Sequence, residues 1–224
     1  MTIATVLSFA QAPILALLVL MYLKQKFKIQ TLKYLIQAFG LGLLSVLIFV
    51  LIDLAVSYFG FDTLKSLKRS VFYSFVVIGF GSHLGIFIML RFVFLKMKRF
   101  TGPIDGILYG IMISLGFSTL AVPLFTIGMF SNVPANLYLY TLPVAALLFS
   151  IIMGFFTGMG KYRKNRLIDS MTGLGASSFF MGFYYFAFLT KEDTILILYS
   201  IGIFIISMLL LVKAGNVKPE IKQR

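Results

Sequence analysis

The sequence contains no cysteine, no tryptophan, one histidine and only seven acidic residues in 224. Without cysteine there are no disulfides and no thiolate metal sites. Zinc takes three or four His, Cys or carboxylate ligands, so one histidine and two carboxylates deep in apolar sequence do not close a ligand set. The only glutamates, Glu192 and Glu220, fall in polar segments. Lacking tryptophan, the chain has 11 Tyr and 25 Phe to furnish an aromatic belt at a membrane interface. Met1–Ala10 holds no Lys or Arg and the apolar run continues to Leu23. That stretch reads as a first span and not as a cleaved signal peptide.

What the sequence does hold is apolar length. Hydrophobic residues make up 60% of the chain, against about 45–50% in soluble domains. Seven runs are long enough to cross a bilayer: Ile3–Leu23, Tyr34–Tyr58, Val71–Leu90, Ile104–Phe130, Leu137–Met159, Leu167–Leu189 and Thr194–Val212. The expected fold is an all-α polytopic membrane protein, one transmembrane helical domain over 1–224 with a basic cytoplasmic tail at 213–224. Pro13 predicts a kink or irregular start in the first span. Leu64 and Leu67 in the loop Gly60–Arg69 predict a short interfacial helix.

The charges fix an orientation. One side of the membrane receives Lys24, Lys26, Lys28 and Lys33, then Arg91, Lys96, Lys98 and Arg99, then Lys161, Arg163, Lys164 and Arg166, then Lys213, Lys218, Lys222 and Arg224. The other receives Lys65, Lys68, Arg69 and Lys191. The positive-inside rule gives N-out and C-in. The net charge of +13 therefore speaks for topology and membrane lipids as partners and against nucleic acid. Short basic inside loops suit a bacterial cytoplasmic (inner) membrane.

Titratable residues inside spans are costly and mark candidate sites. Asp53, His83 and Asp169 are the candidates. Asp169 is expected to pair with Arg166 or a neighbour. Asp53 and His83 are expected to pair across adjacent helices, or Asp53 to sit at the outer interface beside Lys65 or Lys68. Ser82 and His83 are adjacent and so point about 100° apart on a helix, which does not make a ready dyad. Ser118, Ser150, Ser177 and Ser178 reach His83 only if the fold brings them. Gly81 with Gly85, and Gly154 with Gly158, form two GxxxG patterns that predict a contact between the third and fifth spans.

The most distinctive stretch is TGPIDGILYGIMISLGFSTLAV, 101–122. Pro103 suits the first helical turn, Asp105 there favours the helix dipole, and Gly106, Gly110 and Gly116 supply a small-residue face. This segment resembles the PrsW family of intramembrane proteases, whose members read something like PxDGxxYGxxxxLGFAxxEN. Pro103, Asp105, Gly106, Tyr109, Gly110, Leu115, Gly116 and Phe117 fit that pattern. The resemblance covers about 75–186. It sets Ser82 and His83 at the family's paired glutamates, Ile86 at its lysine, Ala121 at a further glutamate and Ala146 at a histidine. Met181 and Tyr185 fall at its last His and Asp. The resemblance thus implies the family bundle with its acids and ligands replaced, so no catalytic residue, metal or cofactor is expected. The expected function is a non-catalytic subunit or scaffold that binds other integral membrane proteins through its helix bundle. Two alternatives stand beside it. One is a peptidase with a non-standard site around His83 and Asp53. The other is a small transporter or lipid-handling protein using the same pair as a proton relay, although no duplicated half is visible.

Overall fold

The computed structural model of the chain describes residues 3–26, 29–130, 132, 136–163 and 166–217. These residues form an all-α polytopic bundle of seven long helices: α1 (Ile3–Lys26), α2 (Ile29–Tyr58), α3 (Leu67–Phe94), α4 (Pro103–Thr126), α5 (Asn136–Met159), α6 (Arg166–Thr190) and α7 (Asp193–Asn216). Five of them (α2, α3, α4, α5 and α7) are each long and apolar enough to cross a membrane. The apolar stretch of α1, Ser8–Lys24, is shorter. α6 is diluted by Asp169, Ser170, Thr172, Ser177 and Ser178. Lys28, Lys164, the turn residues Ser131, Val133 and Pro134, and the tail beyond Val217 lie outside the described residues.

Local chemistry explains the boundaries. Pro103 opens α4 immediately after Gly102, where its missing N–H leaves no partner wanting. The Asp105 carboxylate accepts the Thr101 backbone N–H at 2.6 Å and the Thr101 hydroxyl at 2.7 Å, tying the incoming loop to the first turn. α4 stops at Thr126 and not at Phe130. Gly128 takes a left-handed φ of +74° just past the helix, the conformation that favours glycine and terminates helices. Phe130 then folds back onto Phe125, ring centroids 4.3 Å apart, and onto Phe49 at 4.7 Å.

One local expectation is corrected. The loop Gly60–Arg69 carries no interfacial helix. Gly60 (φ +67°) closes the turn after α2, and Ser66 accepts the Arg69 N–H at 3.4 Å as the N-cap of α3. Leu67 belongs to that span and is 71% exposed. α1 runs as one helix through Pro13.

The bundle is organised by α4, which packs most extensively on α5 and α2. Small residues let the backbones meet. A Cβ on Gly106 would strike the Gly154 carbonyl oxygen, and one on Gly154 would lie 2.7 Å from the Ile107 Cα. Across α2 and α4, a Cβ on Gly42 would lie 3.0 Å from the Gly116 Cα. The expected contact between the two GxxxG patterns is not made. Gly85 faces the Ser45 carbonyl of α2 and Gly81 faces Phe49 and Ile52, whereas Gly154 and Gly158 face α4. Gly85, Gly154 and Gly158 meet neighbouring backbone and Gly81 meets side chains, and sequence alone does not name the helix that approaches.

Candidate functional site

α3 is unusual in its winding. Tyr73–Gly81 and Met89–Phe94 are π-helical, and the short α-helical stretch Ser82–Ile88 lies between them. π-turns are rare and concentrate at functional sites. His83 sits on that middle stretch and is 1% exposed. Its Nδ1 lies 3.2 Å from the Gly79 carbonyl and 3.1 Å from the Ser82 hydroxyl. A carbonyl only accepts, so the Gly79 contact places the imidazole proton on Nδ1 and leaves the lone pair on Nε2. Nε2 is buried and has no hydrogen-bond partner.

Ser82 and His83 thus come within hydrogen-bond distance despite their divergent Cα–Cβ directions. They still do not form a nucleophile and base. Ser82 donates its proton to the Ile78 carbonyl, and Nδ1 carries a hydrogen of its own, so nothing draws the proton from Oγ.

Asp53 and His83 do not pair. Asp53 is 2% exposed and accepts the Tyr73 hydroxyl at 2.7 Å, which also removes it from the exposed interface beside Lys65 and Lys68. The α2–α3 register explains the separation. Gly85 meets Ser45 and Gly81 meets Phe49 and Ile52, so Asp53 lies farther along α2 than the level of His83. An aromatic layer joins the two. Tyr73 lies 6.1 Å from Tyr185 between ring centroids, Tyr185 5.3 Å from Tyr138, and Tyr138 5.6 Å from Tyr184. Phe149 then lies 5.8 Å from Tyr184 and 6.1 Å from the His83 ring. Asp169 pairs with Arg163 at 3.4 Å, a neighbour other than Arg166.

The positions singled out by family resemblance are interior ones. Ser82, His83, Ile86, Ala121, Ala146, Met181 and Tyr185 are all buried. The motif residues build the scaffold beneath them. Gly106 and Gly110 face Gly154 and Ser150, and Gly116 faces Phe39 and Gly42. Tyr109 stacks on Phe94 at 4.5 Å, and Phe117 packs edge-on against Phe49 at 5.9 Å.

A cavity of about 350 Å³ opens between α1, α5, α6 and α7. Its walls mix aliphatic and aromatic side chains, with polar groups from Gln11, Tyr140, Thr141, Tyr184, Tyr199 and Ser200. Tyr184 donates to Thr141, and Tyr199 donates to the Phe180 carbonyl. The Gln11 Oε1 and the nearby Tyr138 hydroxyl are buried with no partner. Phe149 lines the cavity and also packs edge-on against the His83 ring, 6.1 Å between centroids. Sequence reasoning missed the tyrosines. Tyr138, Tyr184 and Tyr199 cluster near corresponding ends of three spans, a pattern that an interfacial belt explains equally well.

A glycine-welded bundle of apolar helices, enclosing one imidazole and a tyrosine-edged cavity, defines a polytopic membrane protein with its polar centre shut inside the helices. A family profile described as PrsW family intramembrane metalloprotease matches residues 30–212, and the chain belongs to that family. The match extends well beyond the 75–186 marked by motifs. The chain is 31% identical over 172 residues to "Protease PrsW" of Halalkalibacterium halodurans, covering 75% of this chain and 77% of the relative. It is 30% identical over 190 residues to "Protease PrsW" of Geobacillus kaustophilus, covering 84% and 81%. Against "Protease PrsW" of Bacillus subtilis it is 30% identical over 163 residues, covering 72% and 71%. No solved structure matches the chain.

These relatives correct the expectation of a non-catalytic subunit or scaffold, because the family and its named members are proteases. Among the described residues the metal in the family's description finds no matching donor set, since no three of His, Cys, Asp and Glu come together there. Asp53 is engaged by Tyr73, and His83 stands at the far side of the aromatic layer.

Proposed function

We propose that the chain is an intramembrane peptidase of a bacterial cytoplasmic membrane that cleaves hydrophobic segments of other integral membrane proteins, with His83 as its base. Peptide hydrolysis needs a group that takes a proton from water as its oxygen adds to the carbonyl carbon, then returns that proton to the departing amide nitrogen. The unengaged Nε2 lone pair of His83, buried within the family-matched region, is the observation that carries this reading. The Nδ1–H bond to Gly79 holds the imidazole in the accepting tautomer. The cavity edged by Tyr184 and Thr141 is the space for an unwound segment, and Phe149 is shared between its wall and the His83 ring. One water is consumed and one C–N bond breaks.

The test uses full-length protein in liposomes with a co-reconstituted single-span polypeptide, cleavage being read by mass spectrometry. His83→Ala is expected to reduce cleavage by about 100-fold or more, the usual worth of a general base, and a chelator to leave the wild-type rate unchanged. Full activity in His83→Ala, or no cleavage by wild type of any single-span polypeptide tried, overturns the reading.

A further inference from the structure

The end of the bundle that carries the basic loops holds a second cavity, about 310 Å³, beyond His83 toward the C-terminal end of α3. Its lining is Arg91, Phe92, Leu95, Lys96, Lys161 and Arg166. Four of the six are cations and none is acidic. Asp169, one turn beyond Arg166 on α6, is buried and turned to Arg163. The cations are arranged and not merely adjacent. Arg91 donates to the Arg166 carbonyl at 3.3 Å, and Lys161 donates to the Leu95 and Met97 carbonyls at 3.3 and 3.5 Å, which joins the end of α3 to the α5–α6 connection. Lys96 lies over the Phe92 ring at 5.4 Å, and Arg91 over Phe87 and Phe92 at 5.9 Å.

We propose that this cavity binds the phosphate headgroup of an anionic phospholipid. Three features fit that occupant. The charge is complementary and uncompensated. The cavity lies at the ends of membrane-crossing helices, on the side the basic loops mark as cytoplasmic, where headgroups lie. Phe92 and Leu95 give its lining an apolar part, which suits the glycerol and upper acyl region next to a phosphate. Basic pockets between transmembrane helices on that side hold anionic headgroups in this manner. The site is separate from the peptidase reading and stands or falls without it.

The experiment is native mass spectrometry of the full-length protein titrated with phosphatidylglycerol or phosphatidylcholine, comparing wild type with Lys96→Gln/Arg166→Gln. Those two side chains are exposed, so the variant keeps the carbonyl ties made by Arg91 and Lys161. Each basic group near an anionic headgroup is worth about fivefold in affinity. The double variant is therefore expected to bind phosphatidylglycerol about 25-fold more weakly, with phosphatidylcholine binding weak in both. A matched control, Lys24→Gln/Lys33→Gln, removes two exposed charges elsewhere on the same side and is expected to change affinity by less than about twofold. An equal loss in the control overturns the site in favour of diffuse attraction. Equal binding of the two lipids by wild type also overturns it, as does displacement of the lipid by millimolar inorganic phosphate, which assigns the cavity to the free ion.

Discussion

α4 and α7 are alike in length and composition yet differ in what surrounds them. Both are 24 residues long and apolar enough to span a membrane, and α7 is the more apolar. Even so, 72% of the apolar window of α4 is buried inside the protein, against 11% for α7. The difference lies in their glycines. Gly106, Gly110 and Gly116 of α4 each face another backbone, whereas Gly202 and Gly215 of α7 have nothing within 4 Å. Apolarity carries a helix into the bilayer. Lipid is as apolar as leucine, so close backbone approach and not hydrophobicity draws helices together there.

The sharpest way to break this contrast is to place the same side chain in the α4–α5 contact and on the open surface of α7. Gly154→Leu drives a side chain into the Gly106 and Ile107 backbone. Overpacking costs about 1–3 kcal/mol where neighbours can shift, and here the neighbour is backbone. Loss of the monodisperse folded peak in detergent size-exclusion chromatography is the expected outcome. Tyr73→Phe acts next. It leaves the buried Asp53 Oδ1 without its 2.7 Å donor, and a lowered thermal midpoint corresponding to about 1–3 kcal/mol is expected. Gly202→Leu, on the open surface of α7, is expected to stay within about 0.5 kcal/mol of wild type. A Gly202→Leu variant as damaged as Gly154→Leu would show that α7 packs against something in the membrane and would end the contrast.

Much of this molecule was legible in its residues, and the errors have a common cause. The seven helices followed from apolar length, and the start of α4 from Thr101, Pro103 and Asp105. The resemblance to the PrsW family was carried by the motif residues Pro103, Asp105, Gly106, Tyr109, Gly110, Gly116 and Phe117, and the profile match established it. The partners of Gly81, Gly85, Gly154 and Gly158 were not legible, because a GxxxG face specifies closeness and no identity. Asp53 and His83 were rightly marked as costly residues, but their pairing depended on the α2–α3 register, which no local pattern encodes. The tyrosine layer was hidden because Tyr138, Tyr184, Tyr185 and Tyr73 come from three helices.

The sequence by itself determined that this chain lives in a membrane, how many helices it forms and which family it joins. Those properties depend on transfer free energies and on spacings within single segments. Only the tertiary structure decided that His83 keeps a buried nitrogen without a partner, that Asp53 accepts from Tyr73, and that four cations line one cavity at the basic end. Those facts depend on distances between helices, and such distances are set by which glycine meets which backbone.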